Sequence, residues 1–137
     1  MSVMNDIRIA LENHLATMVP PPPAVAWPNV PFTRQEGQTF LVIDFQPLVR
    51  RPSTVGTDPE QRVSGQFFIT VYTPEAQGAS EGMLLADALL IRFNGASAVI
   101  APKVVVRLEY SEVKRALHDP PFFAIPVEIG WYAYSRP

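Results

Sequence analysis

The sequence has no cysteine, which excludes disulfides, thiol nucleophiles and metal sites built on thiolates. Charge of one sign is also missing, because 11 Lys and Arg against 13 Asp and Glu leave a formal net charge of -2. Without a global positive field, neither nucleic acid nor an anionic membrane is expected as the main ligand. No apolar run approaches the ~18 to 20 residues of a membrane-spanning helix, and the N-terminus lacks a signal-peptide pattern. We therefore expect a soluble protein that is intracellular where it is made.

Groups suited to catalysis are scarce. The two histidines, His14 and His118, have no third ligand at metal spacing, and no H-E-x-x-H motif is present. The stretch "GTDPEQRVSG" matches no phosphate-binding motif and leads into a strand, whereas those motifs open a helix. We expect no enzyme, no cofactor and no metal. A less favoured alternative is a small-molecule-binding or hydrolytic domain that uses Asp44, Asp58 or His118.

The length of 137 residues, 47% of them apolar, suits one domain with a sizeable core. Apolar residues recur every three or four positions from Val3 to Met18 and predict a first helix over about 3–18. Four successive prolines, Pro20 to Pro23, end that helix and start an extended Pro-rich segment over 20–33. A second apolar stripe predicts a helix over about 80–94.

Alternating apolar residues predict strands over about 39–47, 64–73, 103–110 and 122–134. Because Pro126 cannot donate to a sheet, we expect the last strand to be an edge or to carry a bulge. The order of elements predicts a single α+β domain with a mixed, mostly antiparallel sheet of four to six strands and two helices packed on one face.

The two central strands are separated by a polar stretch, which we interpret as a long arm over 48–63. Ordered domains rarely keep so long a loop without a use for it. We expect this arm to contact another protein chain. Deleting residues 53–60 should then leave the monomer folded and impair assembly, because loop changes cost little closure entropy.

Four segments together resemble the tail-terminator class of small phage and prophage proteins, similar in layout to the minor tail protein U group. They are "IRIALENHLATM", "AWPNVPFTRQEGQTFLVIDFQP", "GTDPEQRVSGQFFITVYTPEAQGASEGMLLADALLIRF" and "FFAIPVEIGWYAY". The resemblance implies a virion protein, assembled in the host cytoplasm, that forms a homohexameric ring at the head-proximal end of the tail. Its implied partners are itself, the tail tube protein and the head-tail connector, with DNA only passing through the lumen and no membrane. The alternative is another neck component, such as a connector, stopper or head-completion protein.

A ring subunit needs two different contact patches, and the aromatic residues exceed what one face of a small sheet can hide. The candidate contacts with a neighbouring subunit or the tube are Arg50, Arg51, Thr54, Thr57, Asp58, Glu60, Arg62, Phe68, Tyr72, Trp131, Tyr132 and Tyr134.

Overall fold

The computed structural model describes residues 3–56, 59–75 and 78–135. In these ranges the chain forms two helices and seven strands. They are α1 Val3–Ala16, β1 Ala24–Ala26, β2 Phe40–Pro52, β3 Gln61–Pro74, α2 Ser80–Arg92, β4 Ala98–Ile100, β5 Val105–Val113, β6 Leu117–Asp119 and β7 Phe122–Ser135.

The strands form one sheet in the order β1-β2-β3-β7-β5-β4, and β6 also pairs with β7. Strand β1 runs parallel to β2, and all the other pairs are antiparallel. The predicted single α+β domain with a mixed, mostly antiparallel sheet is confirmed. The described residues contain one strand more than the expected upper number. Strands β1, β4 and β6 have three residues each, too few to show a period in the sequence.

One face of the sheet, which we call the inner face, carries the core. The cross-strand row Ile43, Ile69 and Val127 lies on this face and is buried, because successive side chains of a strand point to opposite sides. Both helices pack here: α2 lies against β3 and β7, and α1 lies against β4 and β5. The helices therefore cover one side of the sheet only.

The two helices are joined at their C-terminal ends. His14 Nε2 lies 2.8 Å from the carbonyl oxygen of Arg92, and Arg92 Nε donates to the carbonyl oxygen of His14 at 2.8 Å. Arg92 also donates to Thr17 Oγ1 at 3.0 Å. Since the last carbonyls of a helix have no partner within it, each helix supplies a donor for the other.

The predicted arm over 48–63 is wrong at both ends, because residues 48–52 belong to β2 and residues 61–63 belong to β3. Strands β2 and β3 pair as far as Pro52 opposite Gln61, and β7 pairs with β3 to the same end, at Ser135 opposite Gln61. Only residues 53–60 connect the two strands, and Ser53 N donates to the Glu60 carbonyl at 2.7 Å at the base of this loop. The polar strand ends looked like a loop because little of their surface is buried.

The expectation that Pro126 marks an edge strand or a bulge is also wrong, since β7 lies between β3 and β5. The Pro126 carbonyl accepts from Lys114 N at 2.8 Å, so its nitrogen faces the same side, toward β5 and β6. There, pairing with β5 ends at Val127 and pairing with β6 begins at Ala124. The N–H group that Pro126 lacks would therefore lie where the pairing of β7 passes from β5 to β6.

Candidate functional site

The face of the sheet opposite the helices, which we call the outer face, carries three groups of interacting side chains. No helix of the described residues packs on it. Its composition changes along the strands, from basic and tyrosine-rich at the hairpin end, through a polar centre, to aromatic at the far end.

The hairpin end of the outer face forms a basic-aromatic patch, defined by Arg51, Arg62, Arg107, Tyr132 and Tyr134. The strand register places Arg51 opposite Arg62, Arg62 opposite Tyr134, and Tyr132 opposite Arg107. The Arg62 guanidinium lies over the Tyr132 ring, 4.4 Å from its centroid, and the two tyrosine rings meet edge to face at 5.9 Å. Four strands thus bring three arginines and two tyrosines together.

The centre of the outer face contains a buried carboxylate, Glu128, whose exposed fraction is 7%. It accepts hydrogen bonds from the Tyr110 hydroxyl at 2.5 Å and from Gln66 Nε2 at 3.2 Å, and Lys114 Nζ lies 3.6 Å away. Burial raises the pKa of the Tyr110 hydroxyl, and its hydrogen bond to Glu128 raises that pKa further. Because each polar group has a partner, this network is suited to fixing the register of β3, β5 and β7.

The far end of the outer face is closed by aromatic rings. Phe40 stacks on Tyr72 with centroids 4.8 Å apart, and Phe122 meets Phe40 edge to face at 5.1 Å. The Arg34 guanidinium lies 4.9 Å from the Tyr72 centroid and 4.8 Å from that of Phe122, and it is paired with Asp119 at 3.1 Å. The predicted contact residue Tyr72 is therefore largely engaged within its own chain.

The other side of the molecule, formed by the helices, also exposes apolar groups. Leu84 and Ile91 of α2 are 68% and 78% exposed. Asp87 lies between them and is exposed as well. Residues three and four positions apart share one face of a helix, so these three form one stripe. We call Leu84, Asp87 and Ile91 the α2 stripe.

The predicted contact residues lie in different parts of the structure. Arg51, Arg62, Tyr132 and Tyr134 come together in the basic-aromatic patch. Arg50, Thr54 and Glu60 lie at the hairpin tip, Phe68 is half-buried on the outer face opposite Asp44 and Glu128, and Thr57 and Asp58 lie outside the described residues.

The predicted contact role of Trp131 is wrong, because its side chain is completely buried in the chain's own core. It lies opposite Gly65 on the inner face and stacks on Phe45, with centroids 5.4 Å apart. A Cβ at Gly65 would come within 2.7 Å of Trp131 Cζ2. The glycine therefore leaves the space through which the indole reaches Phe45, and Trp131 is not available to a partner.

The candidate contact residues predicted from the sequence did not include Arg107 or any residue of the α2 stripe. The alternation of β5 already placed Arg107 on a polar face, but nothing in the sequence showed that β7 would bring Tyr132 opposite it. The apolar pattern of residues 80–94 predicted the helix, and the packing of α2 shows that Leu84 and Ile91 are uncovered within the chain.

Within the described residues, the side chains proposed for the hydrolytic alternative do not lie together. Asp44 is on the outer face of β2 and accepts from Gln46 Nε2 at 2.8 Å, whereas His118 is on β6, in register with Phe123. Asp58 lies outside the described residues. In the same ranges, no group of three or more His, Asp or Glu side chains could hold a metal ion.

No helix in the described part of the chain is long and apolar enough to cross a membrane.

Comparison with known proteins bears on the fold and on the family. A solved protein structure is similar over 98% of this chain and 97% of the other, with a TM-score of 0.74 and 21% sequence identity, a likeness that concerns the fold. No curated protein matches the sequence. The family model described as "Phage tail terminator protein" matches residues 6–131. The chain therefore belongs to the phage tail terminator family and is a virion-associated structural protein of the phage tail.

Proposed function

We propose that this chain forms a homohexameric ring that caps the head-proximal end of the tail tube and stops its polymerisation. Family membership supports the role. One structural observation supports ring formation by this chain in particular. Two exposed surfaces of different composition, the basic-aromatic patch and the α2 stripe, lie on opposite sides of the sheet. A closed ring repeats one head-to-tail contact, so each subunit needs two different patches.

The hairpin tip is a further contact surface in this proposal. Val55 in the loop is an exposed apolar residue, and Leu48, at the irregularity of β2 between Pro47 and Val49, is another exposed apolar residue of the same hairpin. Exposed apolar side chains on a projecting hairpin suit a contact with a neighbouring subunit or with the tube.

The ring has three protein partners: its own neighbouring copies, the tail tube protein, and the connector on the head side, for which it forms the joint. DNA passes through the lumen without specific binding, and the formal net charge of -2 is consistent with a passage that does not hold phosphates. No membrane and no cofactor take part.

The mass of the purified full-length chain in solution tests ring formation. Native mass spectrometry at micromolar concentration, alone and after mixing with tail tube protein, is expected to show a six-copy species. A chain that stays strictly monomeric under both conditions would overturn the proposal.

A further inference from the structure

The α2 stripe has a composition suited to a protein–protein contact. Its two ends, Leu84 and Ile91, are apolar and mostly exposed, and Asp87 lies between them. At a rise of about 1.5 Å per residue the stripe is ~10 Å long. Among the described residues Asp87 forms no ion pair. A surface complementary to the stripe would have a similar width and would offer apolar area on both sides of a positive charge.

The basic-aromatic patch has the complementary composition. It crosses four neighbouring strands, β2, β3, β7 and β5, which at about 4.8 Å per strand gives a width of ~14 Å. Within the described ranges, Arg51, Arg62 and Arg107 form no ion pair. Arg51 and Arg62 lie directly opposite each other, and like charges in that position repel. An acidic group between these arginines would remove the repulsion.

The two surfaces cannot meet within one chain. The patch lies on the outer face, whereas α2 packs on the inner face. Helix α2 begins near Thr73, since a Cβ at Gly82 would lie 3.5 Å from Thr73 Cγ2. The other end of α2 lies over Phe67, since the Phe93 and Phe67 ring centroids are 5.9 Å apart, and Phe67 is ~17 Å along β3 from Arg62 at about 3.3 Å per residue. Surfaces on opposite sides of a subunit can meet only between two copies, and such a contact is head to tail.

We propose that the α2 stripe of one copy packs on the basic-aromatic patch of the next. Asp87 then pairs with Arg51 of the patch, and Leu84 and Ile91 lie against Tyr132 and Tyr134. The occupant of the patch is a second copy of this chain, because the charges and the apolar area of the stripe match it. This inference rests on the proposed ring and adds the two surfaces that form its repeating contact.

Charge reversal with rescue tests the contact in the full-length chain. Arg51→Glu and Asp87→Arg should each weaken assembly by at least about tenfold, because each places like charges together at the contact. The double variant, which carries both changes in every copy, should recover assembly. Arg115→Glu makes the same charge change at an exposed position outside the patch and is the matched control. Sedimentation velocity over a concentration series measures assembly, and circular dichroism checks that each variant is folded.

The possible results distinguish a failure of the stripe-to-patch contact from a failure of the proposed ring. A wild-type chain that never assembles contradicts the proposed function. A wild-type chain that assembles, with Arg51→Glu and Asp87→Arg assembling equally well, overturns the stripe-to-patch contact and leaves the ring standing. Equal loss in Arg115→Glu, or no recovery in the double variant, also overturns the contact. If Arg51→Glu keeps assembly and instead weakens binding to a labelled double-stranded DNA, the patch serves nucleic acid and the inference is wrong.

Discussion

At the scale of single residues, two glycines decide how the large side chains of the sheet are placed. Gly65 leaves room for Trp131 on the inner face, and Gly130 does the same for Tyr110 on the outer face. A Cβ at Gly130 would collide with the Tyr110 ring, which lies directly over it. Tyr110 in turn brings its hydroxyl to Glu128. A missing side chain on one strand therefore positions the polar centre of the outer face.

Gly130→Ala is expected to lower the free energy of unfolding by about 1–3 kcal/mol, because the added methyl group must displace the Tyr110 ring. Urea denaturation measures the change. In a Tyr110→Ala background the same substitution should cost clearly less, because the clash has been removed. Equal costs in both backgrounds would show that the ring contact does not decide the effect.

His14 gives the fold a dependence on pH. Burial lowers the pKa of His14 from 6.5, and the nearby Arg92 charge lowers it further, against the opposing effect of the hydrogen bond to the Arg92 carbonyl. The unfolded chain therefore binds a proton at a higher pH than the folded chain. The stability linked to this group is complete above pH ~6.5 and is lost as the pH falls through the lower folded pKa.

The melting temperature of the wild type should therefore fall from pH 7.5 to pH 5.5 by more than that of His14→Gln, whose side-chain amide can still donate to Arg92. His118→Gln keeps His14 and is the matched control, so it should retain the larger fall. An identical pH dependence in wild type and His14→Gln would exclude this role of His14.

At the scale of elements, the two edges of the β2-β3 hairpin are supported unequally. Strand β7 pairs with β3 along its full length, whereas β1 pairs with β2 only as far as Val42. The hairpin is therefore held on the β3 side and open along β2. Ser53 Oγ and Thr54 Oγ1 bond to the backbone of Glu60 at 3.0 Å and 2.7 Å and organise the base of the loop.

Replacing residues 53–60 with Asn-Gly should leave the free energy of unfolding within about 1 kcal/mol of wild type, because this pair suits a two-residue hairpin turn and loop shortening changes closure entropy little. The basic-aromatic patch stays intact in this variant. Assembly with the tail tube protein should be impaired, since the exposed tip is gone. Thermal denaturation and co-sedimentation with tubes measure the two effects. An unfolded variant would show that the loop is part of the core, and undiminished tube binding would remove the tip from the contact.

Much of the element order could be predicted because buried and half-exposed residues alternate along the long strands. In β3, Val63, Gly65, Phe67 and Ile69 are buried, and the residues between them are half-exposed. The hairpin was misread for the opposite reason, since Arg50, Arg51 and Arg62 are polar residues that interrupt the apolar alternation at the ends of β2 and β3. The patch was predicted only in part. Its tyrosines, Arg51 and Arg62 were among the predicted contact residues, but Arg107 joins them through pairing with a distant strand, which no local pattern reveals.

At the scale of the whole molecule, the layered fold gives the chain two unlike sides. The inner face is covered by helices, one of which exposes the α2 stripe, and the outer face is not covered by a helix in the described part of the chain. Subunits that stack one side against the other generate either a ring or a helical filament, depending on the rotation between them. The terminator role that we propose requires that this rotation closes after six copies and that the closed ring leaves no site for another ring of tube protein.

Tail length in particles made without this protein tests that role most directly. Electron microscopy of such particles should show tails longer than those of the wild type, because nothing stops polymerisation of the tube, and supplying the protein in trans should restore the normal length. Tails of normal length that merely lack heads would contradict termination and assign the chain to another step of head-tail joining.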